Sequence, residues 1–173
     1  MTGQKFQPVL AGHELLRGLP EADLERLASC ASWSEFPAGA YLFRQDWHAD
    51  HCHLLLRGVV ALELHAAGRG GLVVDTVGPG GVVGLSWLVP PYRWQFDARA
   101  LEPVRSIVLD ARCLRAACHS DPRFGMRLTR RVATVMWQRM RSTRLRLLDL
   151  YGLYGDRDGD RDGDRDGAAD HSA

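Results

Sequence analysis

The chain has 173 residues, of which 46% are hydrophobic and 25% are charged, and its formal net charge is +1. This length and composition are typical of one globular domain, and the balanced charge argues against a uniformly basic nucleic-acid binder. No run approaches the roughly 18 consecutive apolar residues that a membrane-spanning helix requires, so we expect no membrane segment.

The first predicted elements are two short helical pieces within residues 13–31. Pro20 followed by Glu21 and Asp23 favours a helix start, because proline suits the first turn and carboxylates stabilise the positive end of the helix dipole. Apolar residues then recur at helical spacing up to Cys30.

From residue 32 to about 110, short apolar runs alternate with turns rich in glycine and proline. Runs spaced by roughly 8–12 residues are typical of the short strands of a β-sandwich or barrel. The sequence therefore predicts a mainly β core.

The pattern becomes helical again from residue 111. Arg112–His119 is predicted as a short helix, and Asp121-Pro122 favours a new helix start that runs to about Leu150. One apolar stripe follows the long helix at three- and four-residue spacing. A stripe of this length predicts a homodimer, with the candidate interface Leu128, Val132, Val135, Met136, Met140 and Leu147.

Residues 155–173 are built on the repeat DRDG and contain almost no apolar residue, so we expect a disordered tail. Residues 156–173 carry seven Asp and three Arg, which leaves a net charge of +5 on the rest of the chain. Ten Arg against two Asp lie in residues 111–149. Such a segment is typical of a surface that contacts nucleic acid or an acidic partner, or of a solvated helix face.

The four cysteines match no metal-binding or redox spacing. The start of the chain also lacks the apolar run of a secretory signal. We therefore expect a cytoplasmic protein in which Cys30, Cys52, Cys113 and Cys118 are free thiols.

Six stretches together resemble a known family. They are LRGLPEADLERLA at residues 16–28, Phe36–Gly39 with Leu42–Gln45, Ala49–Leu55, Gly58–Val60, Gly78–Gly84, and Arg99–Leu101 with Val108–Asp110. In this order they resemble the cyclic nucleotide-binding domain, the sensory half of the Crp/Fnr transcription regulators. The resemblance implies a mainly β fold with flanking helices (α+β). It implies a β-roll, or jelly roll, at about 32–110 within a domain spanning 13–152, with an N-terminal helical piece and C-terminal helices at about 111–151.

The ligand cassette departs from the family pattern. The family has Gly-Glu, then Arg-Ser/Thr-Ala, which bind the ribose hydroxyl and the cyclic phosphate; here Leu85 follows Gly84, and Trp94-Gln95-Phe96 stands at the second motif. We therefore expect no cofactor, because Leu85 and Trp94 disfavour cAMP or another cyclic nucleotide. The pocket either takes a flatter, more apolar ligand or is filled by aromatic side chains. The candidate pocket comprises Gly84, Leu85, Ser86, Trp87, Arg93, Trp94, Gln95, Phe96, Arg99, Ser142 and Thr143.

Other site types find little support. His48, Asp50, His51, Cys52 and His53 form a cluster that suggests a metal, but strand neighbours point to opposite faces, so we expect none. The tail opens like a calcium loop at Asp158 but has Ala169 where the loop needs glutamate. No nucleophile or phosphate-loop motif is present, and we expect no enzyme.

The sequence therefore predicts a non-enzymatic regulatory module that acts as a dimer or through a partner protein, with its small-molecule ligand altered or absent. One alternative is a Crp/Fnr-type regulator that binds cAMP or another nucleotide and acts on DNA; another is a ligand-free interaction module. The family's DNA reader is a winged helix after the long helix, and only 21 residues follow Gly152. We therefore do not expect direct sequence-specific DNA binding.

Overall fold

The computed structural model describes residues 5–65 and 71–150, apart from the side chain of Leu150. The predicted tail at 155–173 lies outside the described residues. The chain divides into two compact units, and the boundary lies after Thr134. The helices are α1 (Gln7–Gly12), α2 (Glu21–Ser29), α3 (Ala111–Ser120) and α4 (Pro122–Leu150), with short 3₁₀ helices at Glu14–Leu16 and Leu85–Leu88.

Within the described residues, eight strands form two antiparallel sheets. They are β1 (Ala31–Phe36), β2 (Tyr41–Phe43), β3 (His51–Arg57), β4 (Val60–His65), β5 (Gly71–Val77), β6 (Val82–Val83), β7 (Asp97–Ala100) and β8 (Val104–Asp110). The strand orders are β1-β8-β3-β6 and β2-β7-β4-β5. This arrangement confirms the predicted β-roll with flanking helices.

The core of the first unit covers both faces of β3, because the adjacent Leu54 and Leu55 point to opposite faces and are both buried. Leu54 and Leu55 of β3 and Ile107 of β8 are fully buried, as are Ala98 and Ala100 of β7. Alternation along β7 places the two alanines on the inner face, and Asp97 and Arg99 lie on the other face.

The first half of α4 also belongs to this core. Phe124, Leu128 and Val132 are 0%, 2% and 1% exposed within the first unit. Leu128 and Val132 thus pack inside their own unit. Any surface formed by the predicted stripe therefore begins beyond Val132.

The cysteine expectation was wrong for one pair. Cys30 and Cys113 form a disulfide with a Cα–Cα distance of 5.6 Å across a sequence separation of 83 residues. The sheet brings them together, because Ala31 pairs with Leu109 and the Asp110 N–H donates to the Cys30 carbonyl at 3.0 Å. Cys52 and Cys118 are free thiols.

The second unit is described as helix from Val135 to Leu150. Large apolar side chains are exposed along it, among them Met136, Trp137, Met140 and Leu147 at 46%, 55%, 46% and 48%. No helix among the described residues is long and apolar enough to cross a membrane.

Candidate functional site

The candidate cassette links β6 to β7. Gly84 has φ +84°, a conformation that side chains other than glycine rarely adopt, and it caps the 3₁₀ helix Leu85–Leu88. A Cβ on Gly84 would lie 2.9 Å from the ring of Trp94. The start of the cassette therefore packs directly against Trp94, and glycine is needed there for both backbone and contact.

Trp94 is only 2% exposed. Its ring stacks on Phe43 with the ring centroids 4.0 Å apart and the planes at 17°, and it meets the edge of His51 at 5.4 Å. Its backbone is held from both sides, since its carbonyl accepts from the Asp46 N–H at 2.9 Å and its own N–H donates to the Trp47 carbonyl at 3.0 Å. The indole is thus a fixed part of an aromatic cluster.

Among the neighbouring cassette residues, only Trp87 is as deeply buried as Trp94. Trp87 is 1% exposed, and its indole nitrogen has no hydrogen-bond partner among the described residues. Leu85, Ser86 and Phe96 are half-buried. Gln95 is exposed, so of the three residues at the second motif only Trp94 is fully enclosed.

Of the two predicted arginines, Arg99 is paired with a carboxylate and Arg93 bonds a backbone carbonyl. Arg93 is exposed, and its Nη1 donates to the Asp46 carbonyl at 2.6 Å. Arg99 pairs with the buried Glu63, donating to Oε1 from Nε at 3.0 Å and from Nη2 at 2.5 Å. That hydrogen bond raises the pKa of Arg99 above its ordinary value.

Nearby carboxylates are also engaged. Glu63 lies opposite Asp97 in the β4–β7 register, and Asp97 accepts from the Gln45 N–H at 2.6 Å. Arg44 Nε and His65 Nδ1 lie 3.2 and 3.1 Å from the other oxygen of Asp97. The sequence offers no acidic residue between Asp75 and Asp97, so the cassette itself has no ribose acceptor of the family type.

The histidines of β3 belong to the same aromatic cluster. The His51 and His53 rings lie 4.9 Å apart, and His53 Nδ1 is 3.1 Å from the Ser106 hydroxyl. Burial, and secondarily His51, lowers the pKa of His53 to about 3. Burial alone raises the pKa of the Cys52 thiol to about 12. Within residues 5–65 and 71–150, no group of three or more His, Cys, Asp or Glu side chains could hold a metal ion.

A cleft of about 780 Å³ opens beside Trp94. It is lined by Tyr41, Leu42, Phe43, Arg44, Asp46, Trp47, His48, Asp50, His51, Arg93 and Trp94. Only two of these were predicted as pocket residues. The signal in the sequence was the group His48, Asp50 and His51, which from the sequence alone was considered as a metal cluster and not as part of a ligand cleft.

Two strained residues border this cleft. Asp46 and Tyr92 are the non-glycine residues with positive φ in the described chain, at 66° and 57°. The Ala49 N–H donates to the Tyr92 carbonyl at 2.7 Å, so hydrogen bonds hold the two loops together. Residues in such conformations often lie at functional sites.

Ser142 and Thr143 lie in the second unit and are exposed. The Thr143 hydroxyl donates to the Arg139 carbonyl at 3.0 Å, a bond within its own helix.

Comparisons with known proteins agree with this geometry. Residues 33–121 match the family model of the cyclic nucleotide-binding domain. A search of curated proteins finds no match.

Similar solved structures include a Geobacter metallireducens protein described as cyclic nucleotide-binding, at 26% identity and TM-score 0.69, covering 81% of this chain and 98% of that one. The sensor domain of the transcriptional regulator DNR from Pseudomonas aeruginosa gives 17% identity, TM-score 0.65 and coverages of 80% and 93%. The regulatory subunit of a cAMP-independent protein kinase A from Trypanosoma cruzi, bound to guanosine, gives 22% identity and TM-score 0.59, covering 71% of this chain and 48% of that one. The family match spans more than half of the sequence, and the chain belongs to the cyclic nucleotide-binding domain family.

Proposed function

We propose that this chain is a non-enzymatic regulatory module whose cassette does not take a cyclic nucleotide through the family's phosphate contact. The observation that carries the proposal is the position of Trp94. An indole that is 2% exposed and stacked on Phe43 stands at the register where the family has its phosphate-binding arginine. Cyclic nucleotide-binding domains regulate rather than catalyse, which supports the non-enzymatic role.

The energetic consequence is large. Truncating one partner of a buried, hydrogen-bonded charge pair costs about 2–5 kcal/mol. At about 1.4 kcal/mol per factor of ten, this weakens binding by about 30- to 4000-fold. Leu85 in place of glutamate removes the ribose contact as well. Micromolar affinity for cAMP is therefore not expected.

A gain-of-binding experiment tests this reasoning. The double variant Leu85→Glu with Trp94→Arg restores both family contacts, and calorimetry with cAMP and cGMP should detect binding that the parent chain lacks. A matched control is Trp137→Arg, which makes the same exchange at an exposed site in the second unit. Micromolar binding of cAMP by the parent chain contradicts the proposal whether or not the double variant folds.

The cleft beside Trp94 supports a second candidate, an altered ligand that is planar and carries no phosphate. Its volume of about 780 Å³ lies within the range of small-molecule sites, and six of its lining side chains carry aromatic rings. The guanosine bound to the similar kinase regulatory subunit is a ligand of this kind. Guanosine should quench tryptophan fluorescence of the parent chain, and it should quench Trp47→Leu less, because that variant removes a cleft ring that is 66% exposed and keeps only Trp94 beside the cleft. Equal quenching of both proteins contradicts this candidate.

We also propose that the exposed apolar side chains of the second unit pair with a second copy of the chain. Leu128 and Val132 pack inside the first unit, so they are not available for pairing. The part of the predicted interface that lies in the second unit consists of the half-buried Val135 and the exposed Met136, Met140 and Leu147. Light scattering should give about 39 kDa, twice the 19.3 kDa of one chain. A molecular mass of about 19 kDa would contradict self-association, and this face would then be assigned to a partner protein instead of a second copy.

The cellular location remains a proposal. We favour the cytoplasm, where regulators of this family act, although the Cys30–Cys113 disulfide bears against it because disulfides persist mainly in oxidising compartments.

Direct action on DNA is the rival function. A gel shift at physiological salt with random duplex DNA should be negative, and a shifted complex would favour the rival.

A further inference from the structure

A cavity lined by arginines lies in the first unit, away from the cassette. It measures about 330 Å³ and lies between the turn that precedes α2 and the segment of α4 from Arg127 to Thr134. It is lined by Gly18, Leu19, Pro20, Arg127, Arg130, Arg131 and Thr134. Neither the family resemblance nor the proposed function assigns a role to it.

Two of its three guanidinium groups are held in place. Arg127 donates to both carboxylate oxygens of Asp23, at 2.6 and 2.7 Å, and Asp23 is 1% exposed. Arg131 donates from Nη1 to the Leu15 carbonyl at 3.0 Å, and its Nη2 lies 4.0 Å from the Cβ position of Gly18. Each group thus uses part of its donor set on the protein and keeps the rest for a ligand.

The charge of the cavity is not balanced from within. Among the residues that the structure describes, its lining contains three arginines and no carboxylate, and Asp23 pairs with Arg127. Like charges three and four residues apart on a helix repel each other. The arrangement therefore leaves an excess of about two positive charges among the described residues that line this space, which is open to solvent.

The chemistry of the lining selects one class of ligand. Guanidinium groups present planar, forked donors that match the oxygens of phosphate, whereas the lining offers no aromatic ring on which a base could stack. A volume of about 330 Å³ is near the lower end for small-molecule sites. We propose that this cavity binds the phosphate or diphosphate group of a small phosphorylated ligand, with Arg130 and Arg131 as its main donors.

Calorimetry of the full chain with pyrophosphate, at constant ionic strength, tests the proposal. Arg130→Gln should weaken binding about tenfold or more, because it removes charge-assisted hydrogen bonds. Arg123→Gln is the matched control, since Arg123 is an exposed arginine earlier on α4 and outside the cavity lining. Arg112→Gln is the second control, at an exposed arginine of α3 outside the cavity lining. Both controls should stay within about twofold of the parent chain.

Three results would overturn the proposal. They are no binding at millimolar pyrophosphate, an equal loss in Arg123→Gln, and displacement of pyrophosphate by random duplex DNA. Equal loss would indicate diffuse attraction to a basic helix, and displacement would assign the surface to nucleic acid. None of these outcomes bears on cAMP binding at the cassette, so the proposed function stands or falls separately.

Discussion

Removing the Cys30–Cys113 disulfide should destabilise the folded chain substantially. The bond closes a loop across a sequence separation of 83 residues. In the chain-entropy model, a loop of that size lowers the entropy of the unfolded state by an amount worth about 4.5 kcal/mol at 25 °C. This is a large share of the 5–15 kcal/mol that separates typical folded and unfolded states.

Urea unfolding of the parent chain and of Cys30→Ser with Cys113→Ser measures this difference. The oxidised parent should unfold at a higher urea concentration than the variant. When a reductant is added, the urea midpoints of the two proteins should become similar. Cys118→Ser is the control because Cys118 is a free thiol, and it should leave the difference intact. Thiol titration of the denatured, unreduced parent should find two thiols per chain. Four thiols, or equal unfolding midpoints, would refute the reasoning.

Two further predictions concern the cassette and its aromatic cluster. Gly84→Ala should cost about 1–3 kcal/mol more than Gly39→Ala, because only Gly84 would bring a Cβ against Trp94 and overpack the core, whereas the cost of positive φ is common to both glycines; equal losses in urea unfolding would contradict the contact. The folded chain keeps His53 neutral, with a pKa of about 3. The free energy of unfolding should therefore fall as the pH drops from 6.5 towards 3, by up to about 1.4 kcal/mol per pH unit, because only the unfolded state binds the proton in this range. Urea unfolding at several pH values between 7 and 5 gives the free energy of unfolding as a function of pH. That free energy should fall less steeply with decreasing pH in His53→Gln than in the parent chain, and an equal pH dependence would refute this assignment.

Local sequence patterns were sufficient to predict most of the fold. Glycine and proline turns at short spacing predicted the strands between residues 32 and 110, and the structure has β1 to β8 within 31–110. Asp121-Pro122 predicted the start of α4, where Asp121 accepts from the N–H groups of Arg123 and Phe124. These features depend on neighbours along the chain, which is why the sequence reveals them.

Features that depend on distant residues were harder to predict. Nothing near Cys30 or Cys113 indicates a bond across 83 residues; only the pairing of β1 with β8 brings them together. Likewise, the apolar stripe of α4 is continuous in sequence, but its first part is buried in the core of the first unit, where Leu128 is 2% exposed. Periodicity identifies an apolar face but does not say what covers it.

The candidate site was predicted in part. The family register identified Trp94 as the unusual residue, and its burial against Phe43 fits a cassette filled by its own side chains. The larger cleft was missed because its walls come from the loop between β2 and β3, whose partner is the loop around Tyr92. Backbone hydrogen bonds between two loops leave no periodic signal in either of them.

A crystal structure of the full chain, grown with an excess of cAMP, tests the central claim most directly. The account predicts that the Trp94 ring stacks on Phe43 at about 4.0 Å, as it does here, with no nucleotide between the cassette and β2. A cyclic phosphate bound at the N-terminal turn of Leu85–Leu88, with the indole displaced from Phe43, would contradict it.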